Sequence, residues 1–337
     1  MSVQSTDIEP AIWKRPVLVT GAAGFIGSHL VEALLRDGAT VHGVDDLDPW
    51  YDVAQKRANL AAALSHPRFH LTTTGAADAS LSDLWDEVAT VFHLAGRPGV
   101  QDSWGPGFEE YARRNVTDTN AVLDAALRAG VERVVLASSS SVYGDHAGPG
   151  DDRTPRPISP YGVSKLAGEQ LAAVYGERGL DVTCLRYFTV FGPRQRPDMA
   201  IHRLIEATGD GPTFVRRGTG EQRREFTYVA DVVAATIAAT RSRASVGRSI
   251  DVGGGTSVSL NEIRRLVEEL TGRPARVVAS PSADGDPPAT CADQRLAREL
   301  LGWAPRWSLA DGLAAQVEWH AQRDAASADA STAAVAS

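Results

Sequence analysis

The sequence predicts an α/β protein, a doubly wound parallel sheet followed by a smaller C-terminal α/β lobe. Three observations carry this. Short apolar runs alternate with helical stretches through the first part of the 337-residue chain. A glycine-rich turn, Thr20-Gly-Ala-Ala-Gly-Phe-Ile-Gly27, joins the first apolar run to the first helical one. From about residue 190 the alternation gives way to an irregular pattern of small strands and helices.

Taken in order, Pro-Val-Leu-Val-Thr at 16–20 reads as a strand, and the glycine turn opens a helix over 25–36. Strands follow at 39–44, 68–72, 90–94, 132–137 and 181–187, with helices at 52–64, 107–129, 161–178 and 199–207. Small strands around 213–215 and 249–252 and helices at 259–270 and 293–301 outline the second lobe. The expected divisions are a flexible leader at 1–14, a dinucleotide-binding domain at 15–190 and a lobe at 191–320. Within that lobe the chain crosses back to the main sheet. Residues 321–337 are Ala/Ser-rich, a composition expected to be disordered.

Composition excludes several classes. The net charge of −8 argues against a general nucleic-acid binder, so an anionic ligand would be held by local arginines. No segment approaches 18 uncharged apolar residues, the length of a membrane span. Asp7, Glu9, Lys14 and Arg15 interrupt any signal-peptide core, and Cys184 and Cys291 read as buried thiols in a reducing compartment. The expected location is cytoplasmic. The eight histidines are scattered and neither cysteine has ligand company, so no metal site is expected.

A strand, a glycine turn and a helix N-terminus together make a pyrophosphate site. Gly21 permits the tight turn, Gly24 admits the pyrophosphate, and Gly27 lets helix pack on strand, with Phe25 and Ile26 between them. Asp45, after the second strand, stands where an acid accepts from both ribose hydroxyls. A carboxylate there repels a 2′-phosphate and favours NAD over NADP. Leu94 and Ala95 close the fourth strand, where the cofactor passes over the backbone, and His93 beside them reads as a locally hydrogen-bonded histidine.

Tyr161 and Lys165 lie four residues apart, on one helix face one turn apart. There the ammonium is expected to lower the phenol's pKa from about 10 and make it a proton acceptor. Ser138 to Ser141 end the fifth strand, where substrate lies in such a sheet. Tyr161 would take a hydroxyl proton as hydride leaves for NAD, Lys165 would hold the nicotinamide ribose, and one serine would donate to the substrate oxygen.

These residues, with Phe191-Gly-Pro193 and Arg224-Glu-Phe-Thr-Tyr-Val, resemble the extended short-chain dehydrogenases/reductases acting on nucleotide sugars. The resemblance covers about residues 15–318. It implies a Rossmann-type domain with a C-terminal substrate-binding lobe, and a homodimer formed through the helices at 107–129 and 161–178. It also implies Ser139 as the catalytic serine and Arg224 as the arginine on the β-phosphate.

Sugar 4,6-dehydratases carry Asp-Glu where this chain has Ser140 and Ser141, and uronate decarboxylases usually carry glutamate at the position of Ser141. A 4-epimerase needs neither acid. The segment Phe188-Thr-Val through Arg196-Pro-Asp-Met-Ala200 looks like bacterial UDP-glucuronate 4-epimerases. By that resemblance Thr189, Arg196, Ser140 and Ser141 hold the sugar carboxylate of a UDP-sugar. Gln101 stands where that subfamily often has arginine, and Ala76-Ala77 where an acid often follows Gly75. The alternatives are a UDP-glucuronate decarboxylase, another nucleotide-sugar epimerase or 4,6-dehydratase, and a non-catalytic NAD-sensing regulator.

Overall fold

The computed structural model describes residues 13–148, 152–281, 285 and 287–335, with side chains as far as Ala325. Six strands of the first half are β1 (Val17–Thr20), β2 (Val41–Val44), β3 (Phe69–Thr72), β4 (Thr90–His93), β5 (Arg133–Ser139) and β6 (Val182–Tyr187). With β11 (Ser249–Val252) they form one seven-stranded sheet in the order β11-β6-β5-β4-β1-β2-β3. Every pairing is parallel. β1 sits beside β2 on one side and β4 on the other, with Thr20 level with Val44 and His93. The strand order reverses between β1 and β4, which places a crevice at their C-terminal ends.

Side chains alternate across this sheet because strand residues point to opposite faces. Val17, Val19, Phe92, Val135 and Leu185 enter one core, with helix α1 (Phe25–Arg36). Leu18, Val91, Val134, Leu136 and Val182 enter the other, with Trp85, Val122, Leu123 and Ala172. These come from α4 (Ser82–Glu87), α6 (Asp118–Arg128) and α7 (Pro160–Glu177). The strand residues named here are at most 4% exposed, as the near-continuous apolar runs required.

The expected helix over 52–64 is two, α2 (Val53–Asn59) and α3 (Ala61–Leu64), because Leu60 between them has ψ −1°. The expected helix over 107–129 is α5 (Phe108–Ala112) and α6 joined by a π-helical turn at Arg113–Thr117. The 249–252 strand lies at the edge of the main sheet, parallel to β6, where the chain crosses back from the lobe. Helix α9 (Val229–Arg241), between them in sequence, has no place among the expected elements. It is apolar nearly all round (Val229, Val232, Val233, Ala235, Ile237 and Ala239 are buried), so it lacks the one-sided pattern that marks a surface helix. Arg133 on β5 donates to the carbonyls of Ala239 and Ser242 and pins its C-terminal end.

The lobe holds three two-stranded pairs: β7 (Val190–Phe191) with β10 (Thr227–Tyr228), β8 (Phe214–Arg217) with β13 (Val277–Ser280), and β9 (Arg223–Glu225) with β12 (Ser257–Ser259). Helices α8 (Ala200–Thr208), α10 (Leu260–Thr271), α11 (Arg295–Leu301) and α12 (Leu309–Val335) complete it. Ser259 and Glu262 form a capping box at the start of α10, and Gly272 in the left-handed region ends it. Trp13, assigned to the leader, lies edge-on to Phe92 against the core, while residues 1–12 are outside the described residues. The Ala-rich stretch from 321 continues α12 to Val335, since alanine is the strongest helix former.

Candidate active site

The C-terminal ends of the central strands open onto one cleft, and the glycine turn forms its first wall. Gly21 has φ +71°, and a Cβ there would lie 2.8 Å from the Ala95 nitrogen, so the turn admits glycine alone. Gly24 caps α1 without a side-chain hydrogen bond, and no acid stands in the first turn. The N-terminal N–H groups of α1 and its positive dipole end therefore face the cleft at Gly24, Phe25, Ile26 and Gly27. A Cβ on Gly27 would sit 2.0 Å from the Gly21 oxygen. This cradle fits a pyrophosphate. Leu94 and Ala95 line the same cleft at the end of β4.

Asp45, directly after β2, is buried at the cleft's edge. Its carboxylate accepts from the N–H groups of Ala23 (3.0 Å) and Leu47 (2.9 Å), and the buried Lys56 ammonium stands 3.8 Å away. Burial raises its pKa, and Lys56 opposes that. A fixed, oriented carboxylate at this point suits a ribose diol. The cradle and Asp45 together fit a dinucleotide without a 2′-phosphate.

Tyr161 is the second residue of α7, whose start is set by Pro160 and by Ser159 accepting from the Gly162 N–H at 3.1 Å. The Tyr161 ring is edge-on to Tyr111, with centroids 6.0 Å apart. The Ser139 side chain acts on the Tyr161 hydroxyl and favours the phenolate. The Ser139 oxygen already accepts from the Ser141 N–H at 3.2 Å, which leaves its proton to donate toward the phenol. Burial raises the Tyr161 pKa above its ordinary value; Ser139 and then the Arg196 charge draw it back down. The Lys165 ammonium donates to the Ala137 carbonyl at 2.7 Å, so the helix spacing brings it to the strand end and not onto the hydroxyl.

Burial lowers the Lys165 pKa to about 8, and Glu169, one turn further along α7, opposes the fall. Glu169 is buried, accepts from Ser138 at 2.5 Å and forms a two-pronged pair with Arg186 at 2.8 and 2.6 Å. Arg186 in turn donates to the Tyr143 hydroxyl, which donates to Asp251. Replacing Glu169 by glutamine removes the charge that keeps Lys165 protonated. The alkaline limb of a kcat–pH profile then moves to lower pH, because a positive group at about 8 loses its counter-charge. The same change leaves Arg186 without its partner and lowers stability by about 3–5 kcal/mol. A pH profile with an unmoved alkaline limb would show that Lys165 does not carry it.

Arg196 lines the cleft. Its guanidinium pairs with Asp198 at 3.0 Å and lies 5.2 Å from the centre of the Trp50 ring. Ser140 and Ser141 begin the tight turn after β5, and the Ser141 carbonyl packs where a Cβ on Gly162 would fall, beside Tyr161. Thr189 sits between β6 and β7, its carbonyl accepting from the Thr227 N–H, and is not in the cleft wall. Arg224 lies on β9 opposite Val258 and donates to the Arg223 carbonyl, also away from that wall. The structure thus gathers the glycine turn, Asp45, Leu94, Ala95, Tyr161, Lys165 and Arg196, with Ser139 against Tyr161, and leaves Thr189 and Arg224 outside.

His93 hydrogen-bonds Thr20 and Thr119 at 2.7 and 3.0 Å, and burial lowers its pKa to about 3, so it is a structural neutral histidine. Asp78 caps its own turn by accepting from the Ser80 N–H. Sequence reasoning missed Arg97, Arg114 and Asn115. Trp50 is flanked by Arg97 and Arg196, while Arg114 binds Asp46 and Asp48 at 2.6 and 2.5 Å. Asn115 sits in the π-helical turn, accepts from the Arg97 N–H and donates to Ser164 on α7. A π-turn often marks a functional site, but nothing in residue spacing announces it.

Comparison with known proteins agrees with this geometry. Residues 17–253 match the family described as the NAD dependent epimerase/dehydratase family. A UDP-glucuronate 4-epimerase of Thermodesulfobacterium geofontis is 36% identical over 309 residues, covering 90% of this chain and 95% of the relative. An uncharacterized UDP-glucose epimerase of Bacillus subtilis is 40% identical over 306 residues, covering 90% and 97%. The crystal structure of UDP-glucuronic acid 4-epimerase from Bacillus cereus, in complex with UDP-glucuronic acid and NAD, superposes with a TM-score of 0.87 at 38% identity. That match covers 91% of this chain and 99% of the other. With these matches spanning most of its length, this chain is an enzyme, and it belongs to the NAD dependent epimerase/dehydratase family.

Proposed function

We propose that this enzyme is a UDP-glucuronate 4-epimerase, interconverting UDP-glucuronate and UDP-galacturonate through a 4-keto sugar. The observation that carries the reading is Arg196, a guanidinium in the cleft wall whose charge reaches the Tyr161 hydroxyl. A uronate brings a carboxylate to the same region as the hydroxyl to be oxidised, and a planar guanidinium takes it in two hydrogen bonds. Bound NAD supplies the hydride acceptor and returns the hydride. Tyr161 takes the C4 hydroxyl proton and gives it back, and Ser139 donates to the same oxygen. Lys165, held at the Ala137 carbonyl, keeps a positive charge beneath the site.

The 4-keto uronate is a β-keto acid. It loses CO2 when the carboxylate C–C bond lies parallel to the carbonyl π system. Arg196, with Ser140 and Ser141 of the turn after β5, holds the carboxylate out of that alignment. Serines at 140 and 141 supply no acid–base pair for dehydration. The exposed Val163 and Val174 of α7 belong to a homodimer face. The protein is read as cytoplasmic; among the described residues no helix is long and apolar enough to cross a membrane.

The test is incubation with UDP-glucuronate, followed by proton NMR and mass spectrometry. UDP-galacturonate at unchanged mass is expected; a product lighter by CO2 would make the enzyme a decarboxylase and overturn the reading. Arg196→Met should reduce kcat/KM for UDP-glucuronate by about tenfold to a hundredfold, the worth of hydrogen bonds to a charged group. It should also raise the fraction of turnovers that release CO2. An Arg196→Met enzyme with unchanged kcat/KM would remove Arg196 from the carboxylate site.

A further inference from the structure

On the lobe, away from the cleft wall, His202 and Glu206 stand one turn apart on α8 and face His320 of α12. One ligand atom from each lies within 4.8 Å of the others. His202 and His320 are buried, and their ring centres are 4.4 Å apart. His320 is 3% exposed, and neither of its ring nitrogens has a hydrogen-bond partner. An unpaired imidazole in a dry interior is costly, and it needs an explanation.

His202 is oriented as a metal-binding imidazole is. Its Nδ1 donates to the Gln195 carbonyl at 2.8 Å, which turns Nε2 toward the Glu206 carboxylate 3.1 Å away. Arg323, 3.3 Å from this nitrogen and 3.1 Å from the carboxylate, brings a cation to both groups. A tetrahedral ion with bonds of about 2.1 Å separates its ligands by about 3.4 Å, close to this pair. The His-x-x-x-Glu spacing places both on one helix face.

We propose that His202, Glu206 and His320 form a binding site for a borderline divalent cation of the Zn2+ or Ni2+ class. Two imidazoles and a carboxylate are the donor set such ions prefer, with water completing the coordination. The Arg323 guanidinium, 3.1 Å from Glu206 and 3.3 Å from His202, is the cation now opposite these groups. It is a third exposed, on the last described turns of α12 side chains, and it leaves toward solvent when the metal enters. The site staples α8 to α12. It lies behind Arg196, because Gln195 also accepts from the His202 N–H and from Gln316 of α12.

The test uses the tag-free full chain, stripped with a chelator and titrated with Co2+. A saturable visible d–d spectrum at one equivalent per chain is expected, bleached by Zn2+, with a melting temperature that rises with Zn2+ concentration. His320→Gln and Glu206→Gln should each weaken binding by more than about tenfold. Arg323→Ala should tighten it, since it removes the competing charge. The partly exposed Glu206 and Arg323 variants keep the test open if His320→Gln fails to fold. Absence of the spectrum in both wild type and Arg323→Ala overturns the proposal. So does a spectrum that persists unchanged in Glu206→Gln and His320→Gln.

Discussion

Tyr161→Phe should lower turnover by about 10²–10⁴, the contribution of a positioned acid–base group, while leaving NAD affinity close to that of the wild type. The substitution removes one oxygen and keeps the ring, so the edge-on packing against Tyr111 survives. The glycine cradle and Asp45 are built from other elements and are untouched. The loss is therefore confined to proton transfer at the hydroxyl that Ser139 supports. Steady-state kinetics paired with calorimetric titration of NAD distinguishes the two quantities. Full turnover in the variant would move the proton acceptor elsewhere. Loss of NAD binding would show that the phenol holds the cofactor more than it does chemistry.

Gly27→Ala is the second large effect. Its Cβ would meet the Gly21 oxygen at 2.0 Å and the Gly21 carbonyl carbon at 2.9 Å. That carbonyl cannot retreat freely, because it accepts from the Gly24 N–H, and the Gly21 N–H donates to Val44. Helix α1 must then back away from β1, at a cost of about 1–3 kcal/mol or more for overpacking. The same shift moves the helix N-terminus off the pyrophosphate and should weaken NAD by at least about tenfold, the equivalent of about 1.4 kcal/mol. Gly24→Ala meets the same oxygen at 3.1 Å and should be milder on both counts. Thermal melts and NAD titrations of the two variants check the order; equal effects would mean that the turn relaxes and the contact is not what demands glycine.

The sequence by itself determined the sheet and the cofactor half of the site. Dry parallel strands need unbroken apolar runs, and a backbone that must approach a phosphate needs glycine, so both requirements are written locally. Tyr161 and Lys165 were readable for the same reason, since one helical turn fixes their relation. What residue spacing could not carry was contact between distant segments. Lys165 reaches the Ala137 carbonyl, Glu169 opposite it is held by Arg186, and Arg196 arrives in the same cleft as Tyr161 from the lobe. Trp50 between two guanidiniums and His320 against His202 are likewise products of packing. Those arrangements depend on how helices and loops are placed relative to one another. That placement is decided by burial summed over the whole core, and no local pattern records it.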